Sequence, residues 1–224
     1  MRLEPNKNRR FGFSPIRFMA GLLLLGAFVW AAPALAAEEQ QAPEPFDAVF
    51  TFGDGPIELF VFADYFCPPC RRVEPHLDKA LRDLVPLGVQ VTFVDMPFSR
   101  MAPLYARYFL YAAKAASSLD GVLHARDVLF QIAKNNGVAS DQEMVKALKE
   151  NEVAITYFDV RPLLTRWGEI IQAHNVRSTP TCIIVKPGQE PSRHVGSEEI
   201  PKAIDQLLAE LSGNGKTAAA AAGD

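Results

Sequence analysis

The stretch FADYFCPPCRRVEPHLDKAL, residues 62–81, constrains this chain more than any other. Ile57 to Phe62 is almost continuously apolar, the pattern of a strand buried on both faces. Val73, Leu77, Leu81 and Leu84 then recur at helical spacing, so a helix opens near Cys67. Two cysteines with two prolines between them therefore sit where a buried strand hands the chain to a helix. The first turn of a helix has backbone N–H groups without helical partners and a partial positive charge. Sulfur placed there is favoured as thiolate, its nucleophilic form. Pro68 and Pro69 are tolerated because first-turn N–H groups lack helical partners anyway, and they stiffen the link between the two sulfurs.

That arrangement admits several chemistries. In thiol–disulfide exchange, Cys67 attacks or is attacked in a mixed disulfide, and Cys70, deeper along the helix, resolves it. As a structural staple the pair is poor, because so short a loop removes little unfolded-state entropy. A closed zinc site needs four ligands, and the sequence offers Cys67, Cys70 and His76 locally with no second Cys-x-x-Cys. Cu(I) suits a pair of thiolates, although no methionine or histidine cluster flanks these two. A peptide-binding chaperone with an incidental disulfide completes the set.

The compartment bears on the choice. Arg2, Lys7, Arg9, Arg10 and Arg17 precede an apolar run from Phe18 to Ala32, followed by Ala34-Leu35-Ala36. This is the pattern of a signal peptide over residues 1–36, with an uncleaved N-terminal anchor as the alternative; the run is short for a membrane span. Arg9-Arg10 lacks the hydrophobic pair that a twin-arginine signal carries. We expect export to a bacterial periplasm, where disulfides persist. The whole chain has 23 basic and 26 acidic residues; five basic and one acidic lie in residues 1–36, so the remainder carries a net charge of −7. This balance argues against nucleic acid and anionic membranes as partners. All three cysteines lie in the exported part, as one close pair and one odd residue, Cys182.

Along the chain, residues 37–45 are a polar, proline-bearing linker. Phe46 to Phe52, Ile57 to Phe62 and Val89 to Val94 read as strands, with a turn at Gly53-Asp54-Gly55. Residues 99–174 read as helical throughout, with Leu104, Tyr108, Tyr111 and Ala115 on one face and Leu163, Trp167, Ile170 and His174 on another. Ser140 and Glu143 form a capping box. Thr181 to Val185 and Ser192 to Val195 return as strands, and an amphipathic helix spans about Glu198 to Leu211. Residues 212–224 are low in complexity and read as a disordered tail. There is no internal repeat. The fold class is α/β, with residues 46–211 forming a mixed central sheet flanked by helices and a helical insertion at about 99–174.

At this point the residues resemble a family. FADYFCPPCRRVEPHLDKAL is similar to the active-site strand and helix of the thioredoxin superfamily, with Pro75 where thioredoxins carry a helix-kinking proline. RSTPTCIIV, residues 177–185, resembles its second signature, a cis-proline opening the next strand. The helical insertion and FADYFCPPC are more similar to the DsbA-like exported oxidoreductases. The resemblance implies a thioredoxin-like fold over residues 57–211, a redox-active Cys67–Cys70 disulfide, and Thr179 and Pro180 docking the substrate chain. It implies no cofactor beyond that disulfide, cysteine-containing exported proteins as substrates, and a membrane redox partner that resets the pair.

The chain departs from the family at two places. Val61 stands where the family has a buried acidic residue, with Glu58 and Asp64 the nearest acids, and Pro69 stands where DsbA has histidine. Both suggest a couple less oxidising than DsbA and leave oxidase, reductase and isomerase open. Thr179 is shared with isomerase-type relatives, yet too few residues precede the first strand for their dimerisation domain, so we expect a monomer.

The other candidates have plainer readings. Cys182, inside an apolar strand, reads as a buried inert thiol, and His76 as a surface histidine. His124, His174 and His194 share no recognisable spacing. Arg71 and Arg72 fit a solvated helix face or an electrostatic aid to a thiolate. Tyr65 and Phe62 read as core. Phe66, adjacent to Cys67, is a core residue or lines an apolar peptide-binding surface.

Overall fold

The computed structural model describes residues 50–135 and 137–221, with side chains to residue 213. The proposed signal peptide and linker, and residues 46–49 of the first expected strand, lie outside the described residues. Five strands form one mixed sheet in the order β1-β3-β2-β4-β5. The expected α/β fold is present.

At the centre, β2 (Ile57–Ala63) runs parallel to β3 (Val89–Asp95), Ile57 opposite Val89 through Ala63 opposite Asp95. Helix α1 (Pro68–Leu84) and one 3-10 turn (Val85–Leu87) make the crossover that a parallel pair needs. On the other side of β2, β4 (Thr181–Val185) pairs antiparallel, and β5 (Ser192–Val195) closes that edge. β1 is only Thr51–Phe52, shorter than the expected Phe46–Phe52; Phe50 is buried but outside the strand. It pairs with β3, with Thr51 Oγ1 and Thr92 Oγ1 hydrogen-bonded at 3.0 Å. The turn at Gly53-Asp54-Gly55 thus carries the chain past β3 instead of closing a hairpin with β2. It passes so close that a Cβ on Gly55 would lie 1.9 Å from the Gly88 carbonyl oxygen.

The segment expected to be helical throughout is four helices with non-helical links: α2 (Ala102–Ala115), α3 (Leu119–Lys134), α4 (Asp141–Glu150) and α5 (Arg161–Ala173). Ser118 and Ser140 cap α3 and α4, accepting from the backbone N–H of Gly121 and Glu143 at 3.3 Å. The capping box at Ser140 is present, and Glu143 in turn accepts from Ala139 N at 3.2 Å. The expected phase of α2 needs correction. Of its stripe only Tyr108 is buried, and the inward face instead carries Ala102, Tyr105, Phe109 and Ala112. The helix is apolar on nearly every side, so periodicity could not choose between faces. The stripe on α5 holds: Trp167 is buried, edge-on to Phe50 at 5.6 Å and stacked with Phe109 at 6.2 Å. Helix α6 (Gly196–Ala221) packs along α1 and continues beyond Leu211 into the low-complexity segment, whose alanines favour helix. Among the described residues no helix is long and apolar enough to cross a membrane.

Candidate functional site

The site begins where β2 ends. Asp64, next in the chain, is buried, and its carboxylate accepts from Phe66 N at 2.8 Å, Ser99 N at 2.9 Å and Ser99 Oγ at 3.2 Å. The first bond is the local turn that a short acidic side chain makes with the backbone two residues on. The other two pin the β3–α2 loop to it. Asp64 O also accepts from Cys67 N at 3.0 Å. These bonds turn the chain out of the sheet and deliver Cys67 to the N-cap of α1, with φ −78° and ψ 114°. Pro68 and Pro69 fill the first helical positions and offer no N–H, so Cys70 is the first residue of the helix with one.

The two sulfurs differ sharply in exposure. Cys67 is half-buried, whereas Cys70 is 2% exposed, and both are free thiols. Burial pushes the Cys70 thiol well above its ordinary pKa, against the lowering effect of the Asp64 backbone. Cys67 Sγ lies 3.4 Å from Thr179 O, donating to a residue 112 positions away. The Thr179–Pro180 peptide bond is cis, as the resemblance implied. The four expected site residues Cys67, Cys70, Thr179 and Pro180 therefore meet at one end of the sheet.

Phe66 sits differently. Its ring is half-buried, edge-on to Tyr105 at 4.8 Å, beneath the link between α3 and α4. Gly137, at φ +68°, closes over it; a Cβ there would approach the Phe66 ring and the Tyr105 hydroxyl to 3.3 Å. Tyr105 Oη completes the closure by accepting from Val138 N at 2.9 Å. The exposed aromatic near the site is instead Phe98, 54% exposed in the loop that Ser99 ties to Asp64.

Below the cysteines lies a charged layer that the sequence reading missed. Arg126 of α3 is 0% exposed and holds Glu74 of α1 through two bonds of 2.7 and 3.1 Å. Its other nitrogen stands 3.7 Å from Asp95 Oδ1, and the guanidinium lies 4.2 Å from the centre of the Phe93 ring. Burial pushes the Asp95 carboxyl up to about 7, opposed by the Arg126 charge. Val61, at the position where the family has its acid, faces Phe93 and Cys182 across the sheet, and the buried carboxylate stands two residues further on, opposite Ala63. A signal was available: Arg126 falls at helical spacing on the face of Val122, Ala125 and Leu129, an apolar stripe.

Cys182 is 1% exposed, and burial first, then the charges of Glu74 and Cys70, hold its thiol protonated, as expected of an inert core residue. His76 lies 2.8 Å from Asp205 on the α1–α6 surface, and His124, His174 and His194 do not join it. Among the described residues, no group of three or more His, Cys, Asp and Glu side chains converges to hold a metal ion.

The fold is shared with solved structures. A periplasmic thioredoxin-like protein from Salmonella enterica serovar Typhimurium superposes with a TM-score of 0.53 at 20% identity, covering 76% of this chain and 99% of that one. The catalytic domain of Proteus mirabilis ScsC gives 0.54 at 21% identity, covering 73% and 91%. Wolbachia pipientis alpha-DsbA1 gives 0.56 at 14% identity, covering 77% and 95%. No curated protein matches the chain. A strand feeding a cysteine pair at a helix start, opposite a proline-led strand in a mixed sheet, agrees with the family profile that matches residues 53–206: the chain belongs to the thioredoxin family.

Proposed function

We propose that this chain is an exported protein thiol–disulfide oxidoreductase of DsbA-like type, acting through Cys67 and Cys70. The observation that carries the reading is the pairing of an accessible sulfur with a sealed one, the accessible one 3.4 Å from the Thr179 carbonyl. In the oxidising direction a substrate thiolate attacks Cys67 Sγ of the disulfide. A bond forms from the substrate sulfur to Cys67 as the Cys67–Cys70 bond breaks, and Cys70 leaves as a thiolate that takes up a proton. A second substrate thiolate then attacks the substrate sulfur of the mixed disulfide, releasing Cys67; two electrons have passed to the pair. In the reducing direction Cys67 attacks a substrate disulfide and Cys70 resolves the intermediate. Thr179 and Pro180 flank Cys67 and present backbone to the docked substrate chain.

The leader-like first 36 residues support a periplasmic location, and the Salmonella protein with the same fold is periplasmic. Substrates are then exported proteins with cysteines, and a membrane redox partner resets the pair of a monomeric enzyme. Direction follows from the potential. The buried, protonated Cys70 is a poor leaving group, and no histidine precedes it, which together favour a couple less oxidising than DsbA. Equilibration of the protein with glutathione tests this. A value well below DsbA's roughly −120 mV and toward thioredoxin's roughly −270 mV supports a reductase or isomerase. A value at DsbA's makes it an oxidase, and a pair that does not equilibrate at all removes the redox reading.

A further inference from the structure

Beside Cys67 the surface holds a groove of about 390 Å³ that the exchange chemistry does not use. Helix α1 supplies Pro68, Arg71 and Arg72, and α3 faces them with Asp127, Gln131 and Lys134. Pro68 directly follows Cys67, so the groove begins one residue along the chain from the reactive cysteine and runs along α1 to Pro75.

Its charge is unbalanced. Glu74 also borders the groove, but its carboxylate is held by Arg126 at 2.7 and 3.1 Å and does not neutralise the cations outside. Asp127 is engaged only by Gln131, at 3.5 Å. Against this single free acid stand three cations. Arg72 touches only the neutral hydroxyl of Ser197, at 3.4 Å, and Arg71 and Lys134 have no ion pair or hydrogen bond among the described residues. Elsewhere most surface arginines are paired: Arg82 with Asp78 and Asp120, Arg107 with Asp141, Arg161 with Asp159. A concave cationic site on a chain that is acidic outside its first 36 residues focuses potential where a partner approaches.

We propose that this groove receives an acidic segment of the polypeptide that exchanges with Cys67, making Arg71, Arg72 and Lys134 determinants of substrate preference. The inference rests on the oxidoreductase reading. The groove spans residues 68 to 75, about 10 Å of helix at 1.5 Å per residue. An extended chain at about 3.3 Å per residue covers that with three residues. The favoured aspartates or glutamates therefore lie within about three residues of the reacting cysteine. Exposed ion pairs add little affinity but raise the rate of encounter, and salt screens them.

The test uses the full exported chain and short peptides carrying one cysteine as its glutathione mixed disulfide, flanked by three aspartates, three serines or three lysines on either side. Second-order exchange rates are measured at low and high salt. The expected result at low salt is a rate for one aspartate-flanked peptide about tenfold above that of the serine peptide, the low end of electrostatic steering, collapsing at high salt. In the double variant Arg71→Gln, Lys134→Gln that ratio falls toward one. Equal rates for acidic and serine peptides overturn the inference while leaving the oxidoreductase reading intact, and so does a preference that the double variant keeps. Failure to exchange with any peptide removes the oxidoreductase reading itself, and the inference with it.

Discussion

Helix α1 handles charge in two ways within about two turns. At its start, Cys67 is half open to solvent, its polar neighbours are backbone groups, and the Asp64 carboxylate that shapes the turn has three donors. About two turns further on, Glu74 is sealed against Arg126, with one guanidinium shared between the Glu74 and Asp95 carboxylates. In the proposed exchange the first region breaks and remakes a bond at a sulfur that solvent can reach. The second cannot call on water, and its charges must balance among themselves. With one cation for two acids, the carboxyl at 3.7 Å keeps a proton up to about pH 7 while the one at 2.7 Å takes the ion pair.

The largest effect belongs to the first region. Cys67→Ser removes the accessible sulfur and abolishes exchange with any substrate. Cys70→Ser leaves Cys67 able to attack but unable to be released, so mixed disulfides accumulate and appear as higher-mass adducts on non-reducing gels. Equal loss in both variants with no adduct from Cys70→Ser would contradict the assigned roles.

In the second region the test is stability. Arg126→Met leaves Glu74 without its cation beside the Phe93 ring, a change expected to cost about 3–5 kcal/mol. Denaturant titration measures it. Adding Glu74→Gln removes the stranded charge, so the double variant is more stable than Arg126→Met alone. If the two losses simply add, the layer is not acting as a coupled unit.

A subtler consequence is a pH slope. The Asp95 pKa is raised from 3.8 to about 7 in the fold, so the native state keeps a proton that the unfolded chain has lost. The stability this group contributes is complete below about pH 4, falls as pH rises, and is gone above about 7, with a limiting slope of about 1.4 kcal/mol per unit. His174, half-buried against Phe60, works in the opposite sense near pH 6.5, its pKa lowered by burial and by Arg193. Asp159, lowered to about 2 by its bonds to Arg161, acts only in more acid solution, where its contribution is lost as pH falls. Unfolding midpoints between pH 4 and 7 should therefore decline, and Asp95→Asn should flatten the curve. A wild-type curve that rises across this window would show that Asp95 is ionised in the fold.

The two regions were unequally legible in the sequence. Cys67, Cys70 and Thr179-Pro180 are readable because each is a rare local pattern whose meaning depends on a few neighbours. The buried face of α1, at Val73, Leu77, Leu81 and Leu84, is readable because polar residues separate the apolar ones. The charged layer was not, because Glu74, Asp95 and Arg126 come from three elements, and the placement of Arg126 among apolar helix neighbours does not by itself say which acids it meets. The same limit applies to α2, where apolar residues on every side erase the phase, and to Phe66, covered by a link about seventy residues away in sequence.

The smallest expected effect returns to the first region. Ser99→Ala deletes the 3.2 Å bond from Ser99 Oγ to Asp64 but keeps the 2.9 Å backbone bond to the same carboxylate. The loss of one bond near solvent costs about 0.5–1.5 kcal/mol. Because Phe66 N still holds Asp64 and Cys67 N still bonds its carbonyl, the turn presenting Cys67 keeps its geometry. Stability should drop slightly while the rate of exchange with a small disulfide stays within about twofold. A rate that falls tenfold with so little loss of stability would mean that the β3–α2 loop, with Phe98 exposed on it, shapes the approach to Cys67 directly. The open region would then depend on long-range packing as much as the sealed one does.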